Sequence, residues 1–304
     1  MCRILVSGLI NIETTLRVDR FPIEYMPVRY PFWGVNSTVS GVGYNIAKAL
    51  TVLGDEVRFI SATGADLHAQ LVHQALAEAG LCQQYVLPEL RQTPQSVILY
   101  DGEGRRQINV DLKNVQEYRY PREHFLRALD GCNLAALCNV NFSRAFLALV
   151  KARGIPIATD VHTISSLDDE YNRDFMAAAD ILFMSDELLP TSPEAWARRT
   201  LDRYGPEIVV IGMGAEGALL ALRSGTYMER IPAITTRQIV NTIGAGDALF
   251  SAFVHYYAKS RDPFAALCRA MVFASYKIGE KGAAEGFLTE EELENWYTKL
   301  RAQL

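Results

Sequence analysis

Short apolar runs alternate with amphipathic stretches along most of this chain, and the alternation predicts its architecture. Residues 4–7, 57–62, 134–138, 156–159, 181–184 and 208–211 are compact apolar segments of strand length. Helical stripes lie between them. Residues 43–53 carry Ile46, Ala47, Leu50 and Leu53 on one face. Helices are also predicted at 66–79, stopped by Gly80, and at 122–129, 143–151, 193–204 and 248–258. Strands alternating with helices argue for a mostly parallel sheet covered on both faces.

Two regions break that rhythm. Residues 14–18 and 38–39 have the β-branched, half-polar character of exposed strands. Residues 95–100 and 106–110 flank Asp101-Gly102-Glu103-Gly104, a hairpin with explicit turn chemistry. Neither fits a buried parallel sheet, so both predict a separate small β layer. Later, residues 218–222 read as a strand running into a turn at 223–226. No internal repeat, low-complexity tract or linker divides the 304 residues, and one domain over 1–304 is expected.

Composition removes several functions. With 49% hydrophobic and 21% charged residues the chain is ordinary for a globular protein, and its net charge of −5 gives no case for nucleic acid or an acidic membrane. Five cysteines, none in a C-x-x-C pair, argue against a disulfide framework or a cysteine zinc site and fit a reducing cytoplasm. Residues 1–8 read as a first strand rather than a signal peptide, and no apolar run approaches the length of a bilayer span. A cytoplasmic location is expected.

The chemistry concentrates at residues 241–250, Asn-Thr-Ile-Gly-Ala-Gly-Asp-Ala-Leu-Phe. Gly244, Ala245 and Gly246 leave backbone N–H groups bare just before the apolar helical run. A helix start of this kind offers unpaired donors and positive dipole, suited to a phosphate or a developing oxyanion. Asp247 falls in the first turn, where the dipole favours its ionised form. A carboxylate beside an anion hole can accept a hydroxyl proton while the hole stabilises a transferring phosphoryl group. A second glycine pattern, Gly212-Met213-Gly214-Ala215-Glu216-Gly217, follows a strand and spells G-x-G-x-x-G. The dinucleotide fingerprint needs a helix at its third glycine, whereas a strand follows here; the loop suits nucleotide phosphates instead. Asn139, Asn141, Asp160 and His162 follow strands at their carboxyl ends, where ligands gather, although each also reads as a turn residue. Arg105 and Arg106 read as a solvated basic pair, and Thr289 with Glu290, Glu291 and Glu292 as an N-cap with an acidic first turn.

Taken in order, these motifs resemble the PfkB/ribokinase family of carbohydrate kinases. Asn241 to Asp247 is similar to the C-terminal signature D-T-x-G-A-G-D. Ser40-Gly41-Val42-Gly43-Tyr44-Asn45 resembles the N-terminal G-G-x-G-x-N, and Gly8-Leu9-Ile10-Asn11-Ile12-Glu13 the opening G-x-x-N-x-D. Lys281-Gly282-Ala283 matches a late loop on the nucleotide side. The likeness spans nearly the whole chain.

The resemblance implies a three-layer ribokinase-like α/β fold with a β lid at about 12–39 and 93–113, closing over the substrate to exclude water. It implies ATP with Mg²⁺, and a homodimer paired through the lid. Asp247 is then the base and Gly244, Ala245 and Gly246 the anion hole. Asn11, Glu13, Gly41, Gly43, Asn45 and Asn139 hold the acceptor, a sugar or sugar-like molecule phosphorylated on a primary hydroxyl. Gly212, Gly214, Glu216 and Gly217, with Lys281, Gly282 and Ala283, hold the nucleotide. A nucleoside acceptor, or a catalytically weak ligand-binding protein on the same fold, are the alternatives. Three positions depart from the pattern. Glu13 replaces the usual Asp. Asn241 replaces an Asp that helps bind a monovalent cation in ribokinase-like members, which weakens the case for potassium. Ser185-Asp186-Glu187-Leu188 lacks the Asn of the N-x-x-E magnesium motif and places Glu187 one residue early, leaving Asp186 or Glu187 to act through water.

Overall fold

The structure, a computed structural model, describes residues 2–224 and 227–304; Gly225 and Thr226 of the predicted turn lie outside the described residues. The chain opens with β1 (Arg3–Ser7), β2 (Asn11–Arg17), β3 (Val35–Ser40), α1 (Val42–Val52), β4 (Glu56–Ala62), α2 (Leu67–Glu78) and β5 (Val86–Leu87). The hairpin β6 (Gln95–Tyr100) and β7 (Arg106–Asp111) follows, then α3 (Arg122–Leu129), β8 (Leu134–Leu137), α4 (Asn141–Arg144) and α5 (Leu147–Ala152). Next come β9 (Ile157–Thr163), α6 (Arg173–Ala178), β10 (Ile181–Ser185), α7 (Pro193–Tyr204) and β11 (Ile208–Gly212). The last elements are β12 (Ala218–Leu222), β13 (Met228–Ile231), α8 (Ala245–Ser260), α9 (Pro263–Lys277) and α10 (Glu290–Leu300).

Nine strands form the main sheet in the order β13-β12-β11-β10-β9-β8-β1-β4-β5, parallel except where β12 meets β11 and β13. The period of two in β1 explains its two faces. Ile4 and Val6 pack into one core with residues of α1, α2, α8, α9 and α10, while Leu5 packs into the other beside Phe125, Val150, Phe175 and Trp196. The predicted small β layer is a four-stranded sheet, β3-β2-β6-β7, with β2 and β6 parallel. It forms the lid.

Helix boundaries follow local chemistry. Asp66 caps α2 by accepting from Ala69 N at 2.9 Å. Ser192 caps α7 ahead of Pro193, and Gly205 ends it in the left-handed region. Thr289 and Glu292 form a reciprocal capping box at α10. The helix predicted at 143–151 is instead two. The Ser143 hydroxyl lies 2.7 Å from Ser7 Oγ and donates to Ser7 O at 3.2 Å, holding α4 against β1. Phe146 then stacks on Phe125 with ring centroids 3.8 Å apart, redirecting the chain into α5.

Because the parallel strands share one direction, the loops after β1, β8, β9, β10 and β11 gather at one edge of the sheet. Among the described residues, no helix is long and apolar enough to cross a membrane.

Candidate active site

The close approach of α1 to β1 builds one wall. A Cβ on Gly43 would stand 2.5 Å from the Gly8 carbonyl carbon, so both positions are held to hydrogen by backbone packing. Gly41, the N-cap of α1 with φ of 105°, is similarly crowded by Leu9 O. This packing carries Asn45, in the first turn of α1, towards α8. Asn11 and Glu13 stand two residues apart on β2 and so project from the same face. They are 3% and 6% exposed, which makes them interior polar groups rather than solvated lid residues.

Asp247 lies on the first turn of α8, whose N-cap Gly244 has φ of 76°. A side chain at Gly244 would meet Ala283 O at 2.6 Å, whereas Gly246 faces open space. Ala245 N–H donates to Thr242 O at 3.2 Å, so this donor of the expected anion hole is engaged within its own loop. Asn45 Nδ2 donates to Asp247 Oδ2 at 2.6 Å. The Ser40 hydroxyl lies 3.0 Å from Glu13 Oε2 and 3.2 Å from Asn45 Oδ1, able to donate to either. One hydrogen-bonded chain thus joins Glu13, Ser40, Asn45 and Asp247, although they come from four elements. Asn11 Nδ2 donates to Ser96 Oγ at 3.0 Å, while Asn11 Oδ1 and Glu13 Oε1 have no hydrogen-bond partner among the described residues.

Burial overrides the helix dipole at Asp247. It pushes the carboxyl up to about 6, against the Asn45 hydrogen bond and the attraction of His162, while Asp160 adds to the rise. Burial likewise raises the Glu13 carboxyl; the Ser40 hydrogen bond opposes it and the Asp247 charge reinforces it. Asp160 and His162, weak candidates from sequence, therefore do share the electrostatic surroundings of Asp247. His162 sits at φ of 57° at the end of β9, its N–H donating to Asp160 Oδ1 at 2.8 Å. Asn139 Nδ2 donates to Asn172 Oδ1 at 2.9 Å.

One group was missed from sequence and one was read too simply. Lys277, the last residue of α9, is fully buried and donates to Ile243 O. Burial draws its ammonium down to about 8, opposed by Asp247 and Glu13. Arg106 is not simply solvated. Its guanidinium crosses from the lid to donate to Thr242 Oγ1 at 2.8 Å and Thr242 O at 3.2 Å, and Ile98 of β6 packs with Ile243 and Ala283. Arg105 is turned back onto Asp101 at 2.8 Å.

The other end of the site is built from backbone. Gly212 ends β11, and Gly214 to Glu216 form a short 3₁₀ turn rather than a long helix, before β12 returns antiparallel. Space is open around Gly214, but a Cβ on Gly217 would strike Ile231 O, so packing alone demands glycine there. Asp186 N–H donates to Gly212 O at 3.0 Å, bringing Asp186 and Glu187 beside this loop. Burial and the charges of Glu216 and Glu187 raise the Asp186 carboxyl. Asn241 ties the two remaining loops together: Oδ1 accepts from Ile243 N, and Nδ2 donates to Lys281 O, both at 2.9 Å. Gly282 N–H is held by Glu285 Oε2 at 3.0 Å.

Known proteins resemble this chain over nearly its whole length. The profile of the pfkB family carbohydrate kinase matches residues 1–290. An ATP-dependent ribose-1-phosphate kinase of Halopiger xanaduensis is 26% identical over 284 residues, covering 93% of this chain and 94% of that one. A deoxyribokinase of Salmonella typhi is 25% identical over 310 residues, covering 96% and 98%. Among solved structures, a microbiome-derived acarbose kinase superposes with a TM-score of 0.88 at 25% identity, covering 98% of this chain and 99% of that one. This chain belongs to the PfkB family of carbohydrate kinases, ATP-dependent phosphotransferases that act on an alcohol group, and has their ribokinase-like fold.

Proposed function

We propose that this sugar kinase transfers the γ-phosphoryl group of MgATP to a primary hydroxyl of a sugar or sugar-like acceptor, with Asp247 as base. The carboxylate takes the hydroxyl proton as the oxygen forms its bond to phosphorus, and ADP departs with the electrons of the broken P–O bond. The observation carrying this reading is the placement of Asp247: half-buried, in the first turn of α8 behind Gly244, and held by Asn45 at 2.6 Å. Gly244 and Gly246, with the first-turn donors of α8, stabilise the transferring group. The unpartnered Asn11 Oδ1 and Glu13 Oε1 are suited to accept hydrogen bonds from acceptor hydroxyls, with Asn45 and Gly41 completing that pocket.

The nucleotide lies along Gly212, Gly214, Glu216 and Gly217 and against Lys281, Gly282 and Ala283. No group of three acidic or metal-binding side chains converges among the described residues, so Asp186 and Glu187, beside this loop, would meet a Mg²⁺ brought in with the nucleotide only through water. The lid also offers a pairing face for a second copy, since Val97, Ile108 and Val110 are exposed on its strands and Tyr30, Phe32 and Trp33 on its long loop.

A coupled assay of MgATP consumption tests the reading across pentoses, 2-deoxypentoses, pentose 1-phosphates, hexoses, oligosaccharides and nucleosides. Turnover with a sugar-type acceptor, and a product phosphorylated on its primary hydroxyl by NMR, is the expected result. Absence of turnover with every acceptor would favour a ligand-binding role.

A further inference from the structure

Lys277 is a charged side chain in a place where a charge is expensive. It is fully buried, it ends α9, and its ammonium donates to the carbonyl of Ile243, the residue just before Gly244. The negative end of the α9 dipole faces the ammonium, and the carboxylates of Asp247, Glu13, Glu285 and Glu280 all attract it. A methionine would fill the same volume without desolvating a charge, so packing alone gives no reason for lysine here. The neighbouring carbonyl is satisfied the same way: Lys281 O accepts from Asn241 Nδ2 at 2.9 Å. Two loop carbonyls are therefore answered by donors belonging to the chain itself.

We propose that Lys277 is a positioning residue for phosphoryl transfer, a built-in cation that fixes the Ile243 carbonyl, and with it the start of α8, while offsetting the charge of Asp247 and Glu13. With the ammonium in place, the Gly244 turn is held in the left-handed conformation that aims the first-turn donors of α8. The carboxylate of Asp247 can then ionise beside a second carboxylate. Removing the charge leaves Ile243 O without its donor, loosens the turn and makes ionisation of Asp247 harder. The loss falls on the chemical step rather than on nucleotide binding.

This inference rests on Asp247 acting as the base, and the experiment separates the two. Lys277→Met, Lys277→Ala and Asp247→Asn are compared with the unmodified enzyme, using MgATP and the acceptor of highest turnover in the panel above. Lys277→Met is expected to keep its cooperative unfolding, to hold KM for MgATP within a few-fold, and to lose about 10²-fold in kcat. Lys277→Ala is expected to recover turnover saturably with n-propylammonium and not with n-propanol. Normal kcat in folded Lys277→Met overturns the proposal, as does a kcat loss matched by loss of folded protein. Equal rescue by n-propanol overturns the role of charge. Retained turnover in Asp247→Asn overturns the reading of the whole site, whereas turnover lost there but kept in Lys277→Met overturns only the assignment of Lys277.

Discussion

The two ends of the proposed site are built from opposite materials. At the acceptor end, Asn11, Glu13, Ser40, Asn45 and Lys277 are all nearly or wholly buried side chains, linked through or near Asp247. At the nucleotide end, Gly214, Ala215, Glu216, Glu187 and Lys281 are exposed, and shape comes from the backbone of a 3₁₀ turn. The contrast follows from what each end must do. Phosphoryl transfer to a sugar hydroxyl competes with transfer to water, so the accepting end must be dry and its acid–base groups tuned by burial. Phosphates can be read by N–H groups and small residues at the surface.

The sharpest way to break this contrast is Asp247→Asn, which removes proton acceptance while keeping size and the Asn45 contact. Turnover should fall by about 10²–10⁴-fold with MgATP affinity nearly unchanged, measured by steady-state kinetics and calorimetry. In the unmodified enzyme kcat/KM for the acceptor should decline as pH falls through about 6, because the base must be ionised. Stability has the opposite sign. A carboxyl raised in the folded state favours folding fully only below its unfolded pKa, and that contribution is lost as pH rises through about 6. Asp247→Asn should therefore raise Tm at pH 8, and the difference should vanish near pH 4. A variant less stable than the parent at pH 8 would contradict the burial argument.

Glu13→Ala comes next. If the unpartnered Glu13 Oε1 receives an acceptor hydroxyl, this change should weaken acceptor binding by about 1–3 kcal/mol and leave MgATP binding intact. Loss of nucleotide affinity with acceptor affinity preserved would show that the two ends have been assigned in reverse.

Much of the fold was legible because its signals are local. The strands at 57–62 and 95–100, the Asp66 cap, and the helix from Pro193 to Tyr204 between Ser192 and Gly205 all carry their own start and stop chemistry. α9 was passed over despite Asp262 and Pro263 at its start, since its mixed apolar face merges with α8 across a short turn. Lys277 went unseen with it. No spacing rule marks a lysine at 277 as facing a carboxylate at 247; only the packing of α8 on α9 does so. Asn45 was legible as a motif residue, but its bond to Asp247 spans some two hundred positions and exists only in the fold. Likewise, the glycines at 43 and 217 announced themselves, while their reason, contact with Gly8 and Ile231 backbone, did not.

Asn241→Asp tests the junction between the two ends. The amide answers one loop with its oxygen and the other with its nitrogen, at 2.9 Å each. A carboxylate keeps the first bond and sets a negative oxygen against Lys281 O. Turnover of the unmodified enzyme should be similar in sodium, potassium or tetramethylammonium at matched ionic strength, which keeps screening of the nucleotide constant. The variant should unfold at lower temperature and regain stability and turnover with potassium. Strong potassium activation of the unmodified enzyme would refute the view that its own donors satisfy these carbonyls.

The smallest effect is expected at Arg106, a polar arm that reaches from the lid to the loop before Gly244. Its guanidinium is exposed, so water competes for it, and its two bonds to Thr242 contribute about 0.5–1.5 kcal/mol to holding the lid down. Arg106→Gln should raise KM for every acceptor in the panel by a few-fold and leave kcat nearly unchanged in steady-state kinetics. The dry end of the site would then depend on the lid only for closure, with its chemistry carried by the hydrogen-bonded chain from Glu13 to Asp247. A larger loss confined to phosphorylated acceptors would give a different answer: the guanidinium would belong to the substrate, and the lid would take part in choosing the acceptor rather than merely covering it.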